Sequence, residues 1–517
     1  MERLGRVPLH PLLFAAYAVL FLYAANLHEV LPVDVAQPLI LSVIGAAIVL
    51  AVLALVYRSP SRGGIVASAL VVGFFAFGHV SAALVPPDAG SSATSAAGSA
   101  APVPQLVTAW VLFIVAAAVF AARAGRSLLR ATAGLNILAV VLVMLAMTTI
   151  LPYEVGRMGH EPIAKVRAAT TRVSAGRKPD IYYLVFDRYG SADAIERRFG
   201  ITDNDLYGWL EERGFQVPAV SRASYRATDF SLASTLNMRY LDELTTQVGR
   251  VSSDRTPAQQ LLRSHDVGRF LKSQGYRYYN LGSWFDPTMS NDLADVNLRL
   301  GATSEFESVL MDTTALPAVG QLLGEETAEP TFLDRHRDGT LFEFRQLHRI
   351  ATAPGPKFVF AHILLPHDPY VFRADGALIT EAEANAEDEP GLYAGHIAYA
   401  NARIKQLVTD LLSGPEASRP IVILQADEGP LACRSVDCVG ETAEYFKIRS
   451  GVLNAMYLPG IEARLPERFT SVNTFRFVFR EYFGADLPPL PDRVFTWPDN
   501  DHLYDFRDVT DLVDSKP

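Results

Sequence analysis

Asp180-Ile-Tyr-Tyr-Leu-Val-Phe-Asp187 is a short apolar run, rich in β-branched and aromatic residues and flanked by turn formers. It predicts a buried strand that ends at Asp187. Similar runs recur at Tyr276–Leu281, Lys357–Leu364, Pro420–Gln425 and Gly451–Leu458. Helical patterns fall between them, at Asn204–Arg213, Ser231–Leu241, Thr340–Thr352, His396–Leu412 and Asn473–Phe483. Strands alternating with helices predict an α/β domain with a mostly parallel central sheet covered by helices. In such sheets ligands bind beyond the carboxyl ends of the strands. Three of the predicted strand ends carry polar groups: Asp187, the stretch from His362 to His367, and Asp427-Glu428.

Asp187, Asp427 and Glu428 would converge at one edge of that sheet. Converging carboxylates repel and desolvate badly unless a cation joins them. Oxygen ligands suit Mg²⁺, Mn²⁺ or Ca²⁺ better than a thiol-seeking metal. Any one of these acids alone reads as a helix cap or half of a salt bridge. Three at successive strand ends read as a site.

Four segments now fall in order: Leu184-Val-Phe-Asp187-Arg-Tyr-Gly, Tyr225-Arg-Ala-Thr228-Asp-Phe-Ser231-Leu-Ala-Ser234, His362-Ile-Leu-Leu-Pro-His367-Asp-Pro-Tyr370 and Gln425-Ala-Asp427-Glu428-Gly-Pro. Over about 180–511 this order resembles the alkaline-phosphatase superfamily. The likeness is nearest to membrane-anchored sulfatase-like proteins, beside the lipoteichoic acid synthases and phosphoethanolamine transferases. It implies an alkaline-phosphatase-like fold and a divalent metal. It implies metal-binding carboxylates at Asp187 and Asp427, and a nucleophile, itself a metal contact, at Thr228. His362 and His367 match the region that meets the transferred group or the leaving oxygen. The position after Asp427 is usually His in that family, and here it is Glu428. Glu428 keeps a metal-binding side chain but makes the site harder and more anionic, so the expectation is Mn, Mg or Ca rather than Zn.

The chemistry these residues imply is coherent. A free threonine hydroxyl is a weak nucleophile; a bound cation and a helix N-terminus would both favour its anion. Attack on a phosphodiester would give a phosphothreonine, with His367 or His362 protonating the released alcohol. Arg226 reads equally as a phosphate ligand and as a solvated surface group. Ser231, one turn further on, is a weaker nucleophile candidate. Asp368 reads as a ligand or as a turn former before Pro369, and His502 as a surface residue that could reach the site. Thr228-Asp-Phe-Ser-Leu lacks the Cys/Ser-x-Pro-x-Arg context from which sulfatases make formylglycine, so phosphorus is favoured over sulfur. The expectation is a membrane-anchored, metal-dependent phosphotransferase or phosphodiesterase acting on a lipid-linked or envelope-polymer phosphodiester. The alternative is an inactive domain that binds a glycan or a partner protein.

Upstream, the composition changes. Five apolar runs, His10–Leu27, Gln37–Tyr57, Ile65–Leu84, Leu106–Ala122 and Ala131–Leu151, each approach the ~20 residues that span a bilayer as a helix. Arg3, Arg6, Arg58, Arg62, Arg123, Arg126 and Arg130 gather in alternate connections, while the others hold His28, Glu29, Asp34 and Asp88. Positive charge marks the cytoplasmic side. A cytoplasmic N-terminus and five crossings would put everything after Leu151 outside. The expected layout is thus an anchor over 1–151, a linker over 152–178 and an extracytoplasmic catalytic domain over 179–517. Ala89–Ala101 reads as a flexible outer loop. His79, inside the third run, is expected to be a neutral imidazole bonded to a neighbouring helix. The two cysteines, Cys433 and Cys438, stand where an outside location permits a disulfide. The net charge of −10 argues against a nucleic-acid partner and leaves the bilayer as the expected one.

Overall fold

The computed structural model describes residues 7–84, 103–125, 127–159, 178–301, 304–322, 332–432 and 442–515. Ala89–Ala101, both cysteines and most of the expected linker lie outside the described residues. The chain forms two units: Met1–His160 with Thr303–Thr331, and Glu161–Ala302 with Phe332–Pro517.

The first unit is helical. Helices α1 (His10–Ala25), α2 (Pro32–Val56), α3 (Pro60–Leu84), α4 (Val103–Arg123) and α5 (Ser127–Met158) follow one another. The last four are long and apolar enough to cross a membrane, whereas α1 has 16 residues. Helix α5 runs seven residues past the expected end at Leu151, because Glu154 and Arg157 pair along it and meet the Tyr23 hydroxyl. Helices α1 and α5 run side by side in the same direction. At one end Asn136 Oδ1 accepts from the amides of Leu9 and His10, each at 2.9 Å. At the other, Tyr23 reaches Glu154. His79 on α3 stands edge-on to Phe21, 6.3 Å between ring centres. Two short helices from far along the chain, Glu305–Asp312 and Leu316–Leu322, belong to this unit.

The second unit is built on strands β1 (Ile181–Phe186), β2 (Val220–Arg222), β3 (Arg277–Leu281), β4 (Val296–Leu298), β5 (Lys357–Ile363), β6 (Ile421–Gln425), β7 (Asn454–Tyr457), β8 (Arg468–Thr470), β9 (Phe495–Thr496) and β10 (Arg507–Asp508). Six form the main sheet in the order β4-β3-β5-β1-β6-β7. All its pairs are parallel except β6 with β7. Strand β1 lies at its centre and is buried throughout. Its alternate residues feed two cores: Tyr182, Leu184 and Phe186 on one face, Ile181, Tyr183 and Val185 on the other. A strand clothed on both faces shows no polar alternation, which is why the run reads as continuously apolar. The helix Thr228–Asn237 packs on the second face through Leu232 and Leu236.

Candidate metal centre

Strand parity assembles the site. Side chains along a strand alternate between faces. Asp187 continues the series Ile181, Tyr183, Val185, and Asp427 continues Ile421, Ile423, Gln425. His362 lies opposite Val185 in register and follows Phe358 and Phe360. All three therefore emerge on the face that carries the Thr228 helix, at the carboxyl end of three adjacent parallel strands.

The three side chains converge. Each offers one ligand atom, and these atoms lie within 4.8 Å of one another. His362 Nε2 stands 3.3 Å from Asp187 Oδ2 and 4.0 Å from Asp427 Oδ2. Asp187, His362 and Asp427 are 2 %, 0 % and 1 % exposed, so water does not screen them. Asp187 Oδ1, both carboxylate oxygens of Asp427 and His362 Nε2 are buried without a hydrogen-bond partner. Buried polar groups are almost always satisfied, and four orphans at one point call for an explanation.

The electrostatics point the same way. Burial opposes ionisation of Asp187, but the fields of His367, His362 and Arg188 outweigh it and hold the carboxyl well below its usual range. Burial, reinforced by the charge of Asp187, pushes Asp427 upward; His362 and the Thr228 hydroxyl act against that. Burial disfavours a charged His362, yet Asp187 and Asp427 hold its pKa above the ordinary value. Two carboxylates so close in a dry site cannot both ionise without positive charge between them. A divalent cation meets that need, and two carboxylate oxygens with an imidazole nitrogen form a donor set that fits one.

His362 is held for such a role from behind. Its Nδ1 lies 2.9 Å from Thr288 Oγ1, and the Thr288 hydroxyl donates to Phe285 O. In the neutral tautomer that carries its proton on Nδ1, Thr288 accepts that proton's hydrogen bond and the Nε2 lone pair faces the aspartates. Metal-ligating histidines are oriented by this kind of outer hydrogen bond.

Thr228 opens the helix Thr228–Asn237 after an extended Ala227, and no side chain caps that terminus. It is half-buried, and its hydroxyl favours the ionised form of Asp427 without reaching hydrogen-bonding geometry. Glu428, expected beside Asp427 as a ligand, turns away. Its Oε1 accepts from Arg188 Nε at 3.0 Å and its Oε2 from Arg449 at 2.6 Å. Arg449 also donates to Gly429 O and Arg226 O. Arg188 has a left-handed backbone, φ 59°, and ion-pairs with Asp368 as well. A left-handed arginine is strained, and here the strain accompanies a side chain that bridges two acids.

His367, half-buried, stands edge-on to Trp284 at 6.1 Å between ring centres. Arg226 lies over the Trp497 ring and donates to Trp497 O at 2.8 Å. Ser231 is fully buried one turn into its helix. His502 Nδ1 meets Asp499 Oδ1 at 2.6 Å in a local turn. Thr288 and Arg449 were not singled out in the sequence. Nothing local marks either, since each acts on a residue far away in the chain.

No protein-family model matches the chain, and no curated protein sequence matches it. Solved structures do resemble it. The periplasmic domain of EptC from Escherichia coli is 11 % identical over 64 % of this chain and 93 % of its own, with a TM-score of 0.40. A putative sulfatase from Bacteroides thetaiotaomicron is 11 % identical over 60 % and 72 %, with a TM-score of 0.39. The integral membrane lipooligosaccharide phosphoethanolamine transferase A from Neisseria meningitidis is 12 % identical over 93 % and 96 %, with a TM-score of 0.37.

Proposed function

We propose that this chain is a membrane-anchored, divalent-metal-dependent phosphotransferase or phosphodiesterase that uses Thr228 as its nucleophile. The observation that carries the reading is the buried trio Asp187, His362 and Asp427, whose unpartnered ligand atoms face one another beside the open N-terminus of the Thr228 helix. Asp187, Asp427 and His362 would hold the metal, with the Thr228 hydroxyl at its edge. An imidazole nitrogen among the donors brings Zn²⁺ and Mn²⁺ into reach alongside Mg²⁺ and Ca²⁺. When bound, the cation supplies positive charge that favours the alkoxide of Thr228 and a phosphoryl oxygen. Thr228 Oγ, its proton passed to water, would form the bond to phosphorus while the bond to the leaving alcohol breaks. His367 at the rim would protonate that departing oxygen. Water or a second alcohol would then attack phosphorus, breaking the Thr228 O–P bond and regenerating the hydroxyl. Glu428 would act at one remove, fixing Arg188 and Arg449 around the site.

The reading includes five crossings, a cytoplasmic N-terminus and a catalytic domain over 179–517 on the outer face. Helix α1 is short, but its partners on α5 run from Asn136 to Glu154, 18 residues or ~27 Å of helix. That nearly matches the ~30 Å hydrocarbon core. Arg58, Arg62, Arg123 and Arg130 flank the α2–α3 and α4–α5 connections. The substrate class is a lipid-linked or envelope phosphodiester.

Metal content and a paired-substrate assay test this. The purified full chain should bind a divalent cation and hydrolyse bis(p-nitrophenyl) phosphate faster than p-nitrophenyl sulfate. Asp187→Asn and Asp427→Asn should each lose both the metal and the activity. Unchanged metal content in both variants would refute the centre; a preference for the sulfate ester would refute the phosphorus assignment.

A further inference from the structure

The helices Glu305–Asp312 and Leu316–Leu322 sit, in sequence, in the middle of the α/β domain, yet they pack on the bundle. Phe306 and Leu310 enter a core with Leu22, Tyr23, Val35, Ala146 and Ile150, and Ala315 and Ala318 pack on Phe77 of α3. The turn between them presses on α3 itself. The Gly78 amide donates to Thr313 O at 2.9 Å, and a Cβ on Gly78 would stand 2.4 Å from Asp312 O. Only glycine admits that approach.

The depth follows from helix geometry. Gly78 lies six residues before the end of α3 at Leu84, or ~9 Å. Helix α3 has 25 residues, ~37 Å, and so overhangs a ~30 Å hydrocarbon core by ~4 Å at each end. The turn thus reaches ~5 Å below the edge of the core. Its two threonines are satisfied within the turn, while Asp312 is exposed: the Thr313 and Thr314 hydroxyls donate to Leu310 O and Met311 O, and Thr314 Oγ1 accepts from the Leu316 amide. Non-spanning backbone at membrane level requires such internal satisfaction. Meanwhile Val309, Leu316, Val319 and Leu322 point outward, 43 %, 42 %, 37 % and 50 % exposed. Alanines 315 and 318 face the bundle, and Leu316 and Val319, each one residue on, face away.

We propose that this helical hairpin is a membrane-dipping element whose outer face, Val309, Leu316, Val319 and Leu322, lies among the acyl chains and headgroups of the leaflet. The occupant is the lipid surface itself, because the hairpin docks on α3 and α4, helices long and apolar enough to cross a membrane that themselves expose Val72, Val80, Val111 and Leu112. The proposal rests on the membrane-spanning reading of the bundle. It makes the hairpin a lipid contact inserted, in sequence, between Thr288 and His362, the pair that orients the candidate metal centre.

The test uses the full chain in phosphatidylcholine vesicles, with Leu316→Trp, Val319→Trp and the water-exposed reference Val251→Trp. Lipids brominated on their chains and aqueous acrylamide serve as quenchers. The emission added by Leu316→Trp and by Val319→Trp should be quenched at least twofold more by brominated lipid than that added by Val251→Trp, and correspondingly less by acrylamide. Added emission that follows the Val251→Trp pattern, or that both quenchers leave untouched, overturns the proposal. Of the parent's four tryptophans only Trp110 lies in the bundle unit, so the brominated-lipid-quenched fraction of the parent's emission, lost in Trp110→Phe, reports the bundle separately. Quenching of the parent together with a water-like hairpin would sink the hairpin alone; an unquenched parent would sink the spanning reading as well.

Discussion

Thr288→Val removes one hydroxyl and almost no volume, and it should weaken metal binding 10- to 100-fold. Thr288 is 2 % exposed, and its Oγ1 is 2.9 Å from His362 Nδ1. A buried hydrogen bond contributes ~1 kcal/mol, and leaving the partner N–H unsatisfied costs ~1–3 kcal/mol. Loss of an outer hydrogen bond to a metal-bound histidine typically costs 10- to 100-fold in affinity, or ~1.4–2.8 kcal/mol at ~1.4 kcal/mol per decade. The two routes agree. In the variant, His362 can escape the bond by placing its proton on Nε2, which removes the lone pair aimed at Asp187 and Asp427. Calorimetric titration of the full chain with Mn²⁺ or Zn²⁺ reads the affinity, and thermal unfolding without metal checks the fold. Thr288→Ser should restore binding to near the parent. An affinity within twofold of the parent in Thr288→Val, together with a large loss in His362→Gln, would show that Thr288 does not set the histidine.

Three further outcomes follow. Thr228→Ala should abolish turnover while the melting temperature of the metal-free chain stays at the parent's value; retained turnover removes Thr228 as nucleophile. Arg449→Met should destabilise the α/β domain by ~3 kcal/mol, the low end for breaking a buried ion pair, because Arg188 still serves Glu428. Adding Glu428→Gln should recover much of that loss in thermal unfolding, and no recovery would refute the pairing as its cause. Burial holds His265, with a smaller effect from Arg269, neutral with its pKa lowered to about 3, and burial also brings His336 and His396 to about 3. Their folded pKa values lie below the unfolded value of about 6.5, so the stabilisation is complete above pH 6.5 and is lost as pH falls toward 3. The slope should approach ~1.4 kcal/mol per pH unit for each histidine. His265→Asn, which can still cap the helix Asp266–Ser273, should flatten that slope by one proton; an unchanged slope would refute the assignment.

Much of the α/β domain was legible. The run after Asp180 is a strand ending just before Asp187, and the predicted strands at Lys357, Pro420 and Gly451 appear within a few residues of their expected bounds. Their signal was local: apolar density between turn formers. Edge strand β4 was not legible, since Val296–Leu298 is short and half-exposed. Nor was the reversal of β7, because a strand's direction relative to its neighbour is not written in its own residues. The same limit governs the site. Asp187 and Asp427 stood out by position, but which face each strand end presents depends on register. Only with Val185 opposite His362 does parity bring the histidine onto the same face as the aspartates and leave the next residue, Glu428, facing Arg188 and Arg449. The hairpin at 305–322 reads from the sequence as an ordinary part of its domain, because its place on the bundle is fixed by Gly78, more than two hundred residues earlier.

The Glu428 clamp has a consequence for protons. Asp187, Asp427, Glu428 and Asp368 meet Arg188 and Arg449, and also His362 and His367. With Glu428 holding Arg449 and sharing Arg188, Asp427 and His362 have raised pKa values and keep protons in the metal-free centre. A divalent ion has to displace protons from its ligands. Metal binding should consequently release protons, and calorimetric titration in two buffers of different ionisation enthalpy should show a buffer-dependent heat.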